Sequence, residues 1–227
     1  MYDKLIFNQL GFLIHMCANF KPLRPAFAPQ FDLFPPSFDY KAEIYPGQSC
    51  PILVNYKNHM EWREATFGLI PTWAKDTIIA RHTYNARSET VATKPSFRHA
   101  WHHNQFALVP VELFYEPRYI QNKPERWAIE RLDKQPFTIA AIYELVEQDG
   151  QLIRSMTMLT INADQHPLMR QFHAPTDEKR AIAVIPPELR TSWLNADHAT
   201  AKELLLELQS AEYTAFPAPR VKANSQE

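Results

Sequence analysis

Apolar and polar residues alternate in short runs through the middle of the chain. Successive side chains of a β-strand point to opposite faces, so this alternation predicts strands that each bury one face. In 60–67, for example, Met60, Trp62, Glu64 and Thr66 fall on the same face. The predicted strands are 52–56, 60–67, 105–109, 111–119, 127–132, 137–145 and 152–161. The middle of the chain is therefore predicted to be mostly sheet.

Helical spacing is confined to a few segments. Short helices are predicted at 88–93 and 96–102. A longer one is predicted at 198–209, where Asp197 can cap the first turn and an apolar stripe follows, made of Ala201, Leu204, Leu205 and Leu208. The proline-rich segment 22–36 is predicted to have no regular element, because proline fixes φ and lacks an N–H. Together these patterns predict an α+β fold with a mostly antiparallel, barrel-like β core and peripheral helices.

The composition fits one globular domain. The chain has 227 residues, 45% of them hydrophobic, which is enough for a substantial core. Its two cysteines, Cys17 and Cys50, form no disulfide framework and no Cys/His pair has zinc-site spacing, so we expect a reducing cytoplasm, no metal and no cofactor. The net charge of −1 argues against indiscriminate duplex binding. Any nucleic-acid site should therefore be local, and 81–131 offers eight Lys or Arg against five Asp or Glu.

The first fifteen residues are distinct from the rest. Their apolar patch is interrupted by Asn8 and Gln9 and is too short to cross a bilayer. Lipidation of Cys17 is disfavoured, because Met16 is larger than the small residue that such cleavage requires. We expect 1–15 to be an upstream extension, with translation starting at Met16 and methionine removal exposing Cys17, or a propeptide removed by self-cleavage. A single domain is expected at 16–212, with a flexible C-terminal tail at 213–227.

Two segments contain residues suited to binding or nucleophilic chemistry. The run 85–90 places the amide of Asn85, the guanidinium of Arg87 and a carboxylate within five positions, although a solvated loop leading into a helix has the same composition. Cys17, as the first residue of a mature chain, would offer an amine and a thiol on adjacent carbons. The amine attacks an aldehyde, and the thiol then closes a thiazolidine ring. A small buried cysteine is the alternative interpretation.

Two further residues are suited to proton transfer. Glu116 follows Phe114 and Tyr115 in a predicted strand, where Phe114 shares its face and desolvation would raise the carboxyl pKa towards the range of a general acid/base. An ordinary edge-strand glutamate is the alternative. Histidine is a residue type suited to shuttling protons near neutral pH, which makes His173 a candidate, although a lone histidine is often structural.

In chain order, these elements resemble the SOS response-associated peptidase (SRAP) family, the abasic-site processing proteins: Met16-Cys17, Asn85-Ala86-Arg87, Phe114-Tyr115-Glu116 and His173. The resemblance runs from residue 16 to about residue 194. It implies a single compact SRAP-like domain, monomeric and away from membranes, that responds to DNA damage and binds single-stranded DNA containing abasic sites. Cys17 would trap the site as a thiazolidine crosslink, with Asn85, Glu116 and His173 as catalytic partners. The family's peptidase activity would remove the residue before the cysteine.

The resemblance also implies DNA contacts. Arg87 would bind a phosphate, Trp73 would stack on a base, Pro46 would border the groove and Thr160 would lie at a strand end. Asn19 stands where the family has an arginine, which removes one ionic contact with DNA. The residues after His173 also differ from the family's Asp-Arg-Met-Pro, reading Ala174-Pro175-Thr176-Asp177.

Two other functions fit parts of the same pattern. One is a non-catalytic single-stranded nucleic-acid binder that uses Arg87 and Trp73 while its cysteine is idle. The other is a cysteine hydrolase built from Cys17, His173 and Asn85, which ranks last because no segment suggests an oxyanion hole. Covalent capture of DNA that is lost when Cys17 is replaced would distinguish abasic-site trapping from both of these alternatives.

Overall fold

Strands dominate the part of the chain that the structure describes. The structure is a computed structural model, and it describes residues 17–148 and 150–220. Within these residues the strands are β1 Asn19–Pro22, β2 Ser49–Tyr56, β3 His59–Phe67, β4 Asn85–Arg87, β5 Phe106–Ile120, β6 Lys123–Arg131, β7 Phe137–Gln148, β8 Gln151–Asn162, β9 Arg180–Ile182, β10 Val184–Ile185 and β11 Tyr213–Pro217. The α-helices are α1 Arg98–His102 and α2 Arg190–Leu194, and 3-10 helices occupy Pro25–Phe31, Ile78–Arg81, Met169–Gln171, Pro187–Leu189, Ala201–Leu204 and Ser210–Glu212.

Five strands close into a barrel in the order β5-β7-β8-β3-β2, because β5 pairs with both β7 and β2. The β3–β8 pair is parallel, and the other four pairs of the ring are antiparallel. The short strand β4 also runs parallel to β8. The predicted α+β fold, with a mostly antiparallel barrel-like core and peripheral helices, is confirmed.

Strand β5 extends beyond the barrel, where it pairs with β6 and β1. Its pairing with β7 ends at Val111, and residues from Leu113 onward pair with β6 instead. Strand β1 pairs with the opposite edge of the same stretch, with Asn19 opposite Tyr115. The sequence predicts two strands here, at 105–109 and 111–119, but Pro110 lies inside one continuous strand opposite Thr138. Its carbonyl accepts a hydrogen bond from Leu23 N–H at 3.0 Å.

Gly68, just after β3, adopts a conformation that other residues avoid. Its φ is +115°, and a Cβ at this position would lie 1.8 Å from the carbonyl oxygen of Ala80. The Gly68 N–H also donates to the Met156 carbonyl at 2.8 Å, which ties the turn to β8. Glycine is therefore required for the chain to leave the barrel at this point.

Several predicted elements are wrong. The predicted helix at 88–93 is a run of turns, and 198–209 contains a single 3-10 turn, Ala201–Leu204. Asp197 Oδ1 does accept hydrogen bonds from the first turn, but Leu206 then exchanges backbone hydrogen bonds with Val184, which requires extended backbone. The segment 22–36, predicted to be irregular, includes the 3-10 helix Pro25–Phe31.

The C-terminal tail is also more regular than predicted. Tyr213–Pro217, expected to be flexible, forms β11 and pairs with β6 from Arg131 to Trp127.

The helices described here are at most seven residues long, so none of them has the length and hydrophobicity that a membrane crossing requires.

Candidate active site

A chain of two hydrogen bonds connects three of the predicted catalytic residues. The backbone nitrogen of Cys17 donates to Glu116 Oε1 at 2.9 Å, and His173 Nε2 lies 3.0 Å from Glu116 Oε2. Glu116 is 1% exposed, and Cys17 and His173 are also buried. One buried carboxylate therefore links the backbone nitrogen that precedes the thiol to an imidazole.

The pairing of β1 with β5 brings Cys17 to Glu116. Because Asn19 lies opposite Tyr115, the residues just before Asn19 run alongside Glu116 and Pro117. Cys17 has a φ of +27°, a backbone conformation that L-residues seldom adopt. The alternation predicted for this strand is also present, since Glu116 and its neighbour two positions earlier are buried while Tyr115 is partly exposed.

His173 is held by its backbone as well as by its ring. It follows the 3-10 helix Met169–Gln171, has a φ of +66° and donates its N–H to the Pro117 carbonyl at 2.7 Å. The backbone N–H of Arg180 points at His173 Nδ1 at 3.5 Å, so Nδ1 is the acceptor and Nε2–H donates to Glu116. This tautomer is assigned from the hydrogen-bond network.

Burial sets the protonation state of the thiol. Desolvation, followed by the charge of Glu116, raises the pKa of Cys17 well above its ordinary value. The neighbouring residue Tyr84 has its pKa raised to about 12 by burial, with smaller contributions from Glu116 and Cys17. At neutral pH the Cys17 side chain is therefore a neutral thiol.

Asn85 and Arg87 lie on β4, which pairs with β8. Asn85 is partly buried and directly follows Tyr84, the residue that lines the cleft beside Cys17. Arg87 is 54% exposed, and its Nη1 forms an ion pair with Glu178 Oε2 at 2.7 Å. The guanidinium predicted to bind a DNA phosphate thus already has a carboxylate partner within the protein.

Arg180 connects this ion pair to the buried site, and no motif in the sequence indicates it. It is 2% exposed and binds both carboxylate oxygens of Glu89 at 2.8 Å. The same guanidinium contacts Glu178 at 2.9 Å and the Thr160 carbonyl at 2.8 Å. Thr160 is itself 1% exposed, so its side chain has no surface for a DNA strand and instead accepts from Arg180.

A cleft of about 730 Å³ opens beside Cys17. Its lining combines tyrosine rings and prolines with cationic side chains and begins at the two residues after the cysteine: Ala18, Asn19, Tyr45, Pro46, Arg81, His82, Tyr84, Tyr115, Pro117, Pro124, Glu125, Arg126 and Arg220. Flat rings and guanidinium groups are the side chains that bind nucleic-acid bases and phosphates. A second cavity of about 490 Å³, lined by Arg131 and Arg190 among others, contains none of the predicted site residues.

The predicted DNA contacts are divided between this cleft and other surfaces. Pro46 lines the cleft at the second position of a turn in which Gly47 has a φ of +85° and Gln48 N–H donates to the Tyr45 carbonyl at 3.0 Å. Asn19 also lines it, and its side-chain amide donates to Glu43. Trp73 is 56% exposed but does not line the cleft, and its indole N–H donates to the Pro95 carbonyl at 3.2 Å.

Sequence reasoning missed Glu43, Tyr84, Arg126 and Arg180. Tyr84 directly precedes the Asn85 motif, and that adjacency could have indicated it. Arg126 lies on β6 and Glu43 in a bend next to the Phe20–Ile44 bridge, so they meet only in the folded chain and no local pattern marks them.

Within the described residues, a five-stranded barrel accompanies a buried cysteine, glutamate and histidine that are joined by hydrogen bonds beside a cleft lined by arginines, which defines a β-barrel protein with a candidate Cys–Glu–His site. The family model for the SOS response associated peptidase (SRAP) matches residues 16–224. The chain belongs to this family, which confirms the resemblance recognised in the sequence.

Individual relatives agree with the family match. The chain is 28% identical over 192 residues to the abasic site processing protein YobE of Bacillus subtilis, covering 82% of this chain and 84% of the relative. It is 26% identical over 155 residues to the abasic site processing protein YedK of Escherichia coli, covering 68% of this chain and 64% of the relative. A solved structure from Bordetella bronchiseptica superposes with a TM-score of 0.82 at 27% identity, over 90% of this chain and 100% of the other. One from Bacteroides thetaiotaomicron, at 21% identity and a TM-score of 0.74 over 88% of this chain and 91% of that chain, shares the fold.

Proposed function

We propose that this protein processes abasic sites in single-stranded DNA and traps them through a covalent bond to Cys17. The observation that carries the proposal is the 2.9 Å contact between the Cys17 nitrogen and Glu116, with His173 at 3.0 Å on the other carboxylate oxygen. The adjoining cleft of tyrosines, prolines and arginines supplies the surface for a single strand. The relatives named as abasic site processing proteins support the same substrate.

The chemistry requires that Cys17 be the first residue of the functional chain. An abasic sugar in its open form presents an aldehyde, and the α-amine adds to that carbon to give a carbinolamine. Loss of water forms an imine, and the Cys17 S–H adds across the C=N bond. Sulfur bonds to carbon, the proton goes to nitrogen, and a thiazolidine results without an oxidant or reductant.

Glu116 is the acid/base in this proposal. It contacts the reacting nitrogen directly, so it can take the proton that the amine releases and return it to the departing hydroxyl. His173 donates to the far oxygen of the same carboxylate and stabilises its charged form between these steps. The raised thiol pKa suits addition of a neutral S–H after the imine has formed.

The amine must be released before capture. In the full chain the Cys17 nitrogen belongs to a peptide bond with Met16, and an amide nitrogen does not form an imine. We propose removal of the upstream residues, either by methionine removal after a start at Met16 or by self-cleavage at Cys17, the peptidase activity for which the family is named. Residues 1–16 lie outside the described part of the chain.

The test is covalent capture of single-stranded DNA that carries one abasic site. Protein produced from Met1 and from Met16 is incubated with the DNA and run on a denaturing gel beside Cys17→Ala. The matched control is Cys50→Ala, since Cys50 is equally buried but its thiol contacts the Ala65 carbonyl inside the barrel. A heat-stable band present in wild type and Cys50→Ala and absent from Cys17→Ala supports the proposal. Capture by Cys17→Ala contradicts the proposal, and so does the absence of capture by both the Met1 and the Met16 forms of the wild-type protein.

Complete burial of the Cys17 side chain favours a second candidate, a non-covalent single-stranded DNA binder. In that case wild type and Cys17→Ala bind the same oligonucleotide with equal affinity and neither gives a denaturation-resistant band. The intact mass of the Met1 form after incubation shows whether the residues before Cys17 have been removed. It therefore distinguishes an unprocessed chain from a processed chain that does not react with the DNA.

A further inference from the structure

Arg126 forms one wall of the cleft, and no part of the proposed chemistry uses it. It lies on β6 directly opposite Pro117, one position along from the pair formed by Glu116 and Trp127. Its guanidinium lies on the ring of Tyr115, 3.3 Å from the ring centroid. The side chain is 18% exposed, so it is largely ordered by its neighbours but still reaches the cleft.

Two acceptors fix the orientation of this guanidinium. Its Nη1 donates to the Ala218 carbonyl at 3.1 Å, and its Nη2 forms an ion pair with Glu43. A guanidinium has five N–H donors, so these two bonds leave further donors for a ligand. Because the group is already oriented, binding an anion would cost little side-chain entropy.

Glu43 connects Arg126 to the reacting residue. The carboxylate oxygen that pairs with Arg126 also accepts from the side-chain amide of Asn19, which is two residues from Cys17. The guanidinium is thus held beside the segment that carries the thiol. A DNA strand whose sugar reaches Cys17 would bring its adjoining phosphate to this wall.

The surrounding charges favour an anion. Arg220 lies over the Tyr45 ring at 5.1 Å, and Arg81 borders the same cleft without an ion pair to any described residue. Glu125 is the carboxylate among the lining residues. Behind the lining, Glu43 accepts from Arg126, Asn19 and the Tyr45 hydroxyl, and Glu116 accepts from Cys17 and His173. The lining of the cleft therefore carries three guanidinium groups and one carboxylate, which leaves its surface positive.

We propose that Arg126 binds the phosphate of the nucleotide that adjoins the captured site, and that Glu43 is the internal counterion which this phosphate displaces. The inference rests on the proposed function in one respect, that the strand lies in this cleft. It adds a binding residue and an internal competitor that are independent of the covalent step.

Non-covalent binding of an oligothymidine without a lesion tests the proposal. Its affinity is measured by fluorescence anisotropy at several NaCl concentrations for wild type, Arg126→Ala and Arg131→Ala. Arg131 is the matched control, because it lies on the same strand, pairs with two carboxylates and stacks over Tyr213 at 6.0 Å, yet it lines the other cavity. Loss of one phosphate contact should weaken binding by about fivefold at 0.1 M salt and reduce the slope of log K against log salt by about 0.7. Arg131→Ala should change neither.

Glu43→Gln supplies an independent variant. Removing the internal counterion should tighten oligothymidine binding, and the gain should disappear when Arg126→Ala is also present. Arg126→Gln removes the charge but keeps a long polar side chain; it should lower the affinity and the salt slope as Arg126→Ala does, and it serves if Arg126→Ala does not fold. Wild-type affinity and slope in Arg126→Ala, or an undiminished Glu43→Gln gain in the double variant, would overturn the proposal.

Crosslinking of wild type to abasic DNA, run in parallel, separates this inference from the proposed function. Capture by wild type together with unaltered oligothymidine binding by Arg126→Ala contradicts the phosphate site alone. Absence of both capture and binding in wild type contradicts the phosphate site and the proposed function. Oligothymidine binding without capture, weakened as expected in Arg126→Ala, supports the phosphate site and contradicts the covalent chemistry.

Discussion

Glu116→Gln tests the buried site with a substitution that preserves its shape. Glu116 accepts from two donors, the Cys17 N–H and the His173 Nε2–H, one on each oxygen. Glutamine keeps one oxygen and replaces the other with an NH2 group, so one of the two donors must face another donor. His173 cannot relieve the conflict by changing tautomer, because its Nδ1 already faces the Arg180 N–H at 3.5 Å.

The expected magnitudes follow from this geometry. A buried donor left without an acceptor costs about 1 to 3 kcal/mol, and the 1% exposure of Glu116 gives water no easy access. Loss of the acid/base group should slow crosslinking by about 10² to 10⁴-fold. Glu116→Gln should therefore lower the free energy of unfolding moderately and the capture rate severely.

The rate is measured by single-turnover capture of abasic single-stranded DNA, quenched at intervals and resolved on denaturing gels, and the stability by urea unfolding. Glu144→Gln is the matched control, because Glu144 is also 1% exposed and also pairs with a histidine, His99, at 2.6 Å, but does not line the cleft. It should lose stability and keep a capture rate within about twofold of wild type. A wild-type rate in Glu116→Gln, or equal slowing in Glu144→Gln, would refute the assignment.

Three other substitutions probe the fold and its charges. Gly68→Ala should lower the unfolding free energy in urea by about 3 kcal/mol, from the strain of a positive φ and a Cβ that would lie 1.8 Å from a carbonyl oxygen; a loss under about 1 kcal/mol contradicts this. Hydrogen bonds from Arg131 lower the pKa of Asp133 to about 2, so their contribution is present above pH 4 and fades as the pH falls towards 2. Asp133→Asn should thus lose at most about 1 kcal/mol at pH 7, given the 48% exposure of the carboxylate, and nothing near pH 2, and an equal loss at both pH values would contradict the pairing. Glu178→Gln should release Arg87 and tighten oligothymidine binding by about two- to fivefold in the anisotropy assay, whereas weaker binding would mean that Glu178 orients Arg87 for DNA.

Local alternation was a sound guide to the strands, because a half-buried strand needs period two whatever its partners are. It failed where distant pairing decided the outcome. The apolar stripe at 201–208 fits a helix, yet Leu206 pairs with Val184 and the segment is extended there. The predicted strands 105–109 and 111–119 leave out Pro110, yet Pro110 lies within β5 and its carbonyl accepts a hydrogen bond from Leu23. Boundaries of this kind depend on contacts that no window of sequence contains.

The residues of the site were accessible from motifs, but their arrangement was not. Cys17 and Glu116 are 99 positions apart and Glu116 and His173 are 57 apart, so their hydrogen bonds follow from strand register and from the positive φ of Cys17 and His173. The resemblance to the family identified these residues, but it did not indicate how they contact one another. The charged groups around them, Arg126 with Glu43 and Arg180 with Glu89, carry no such motif and could be found only in the folded chain.

The position of the candidate site along β5 places a buried carboxylate beside a cleft that a polymer could follow. Glu116 lies beyond Val111, where β5 has left the barrel, so the closed ring is not interrupted to admit a substrate. Beyond that point β1 and β6 flank β5, with Cys17 just before β1 and Arg126 on β6. In the proposed function, a single strand that follows the cleft would pass Cys17 and Arg126 together. The barrel supplies rigidity and the extension of β5 supplies access, which is why substitutions in the ring should alter stability first and those on the extension should alter DNA binding and capture first.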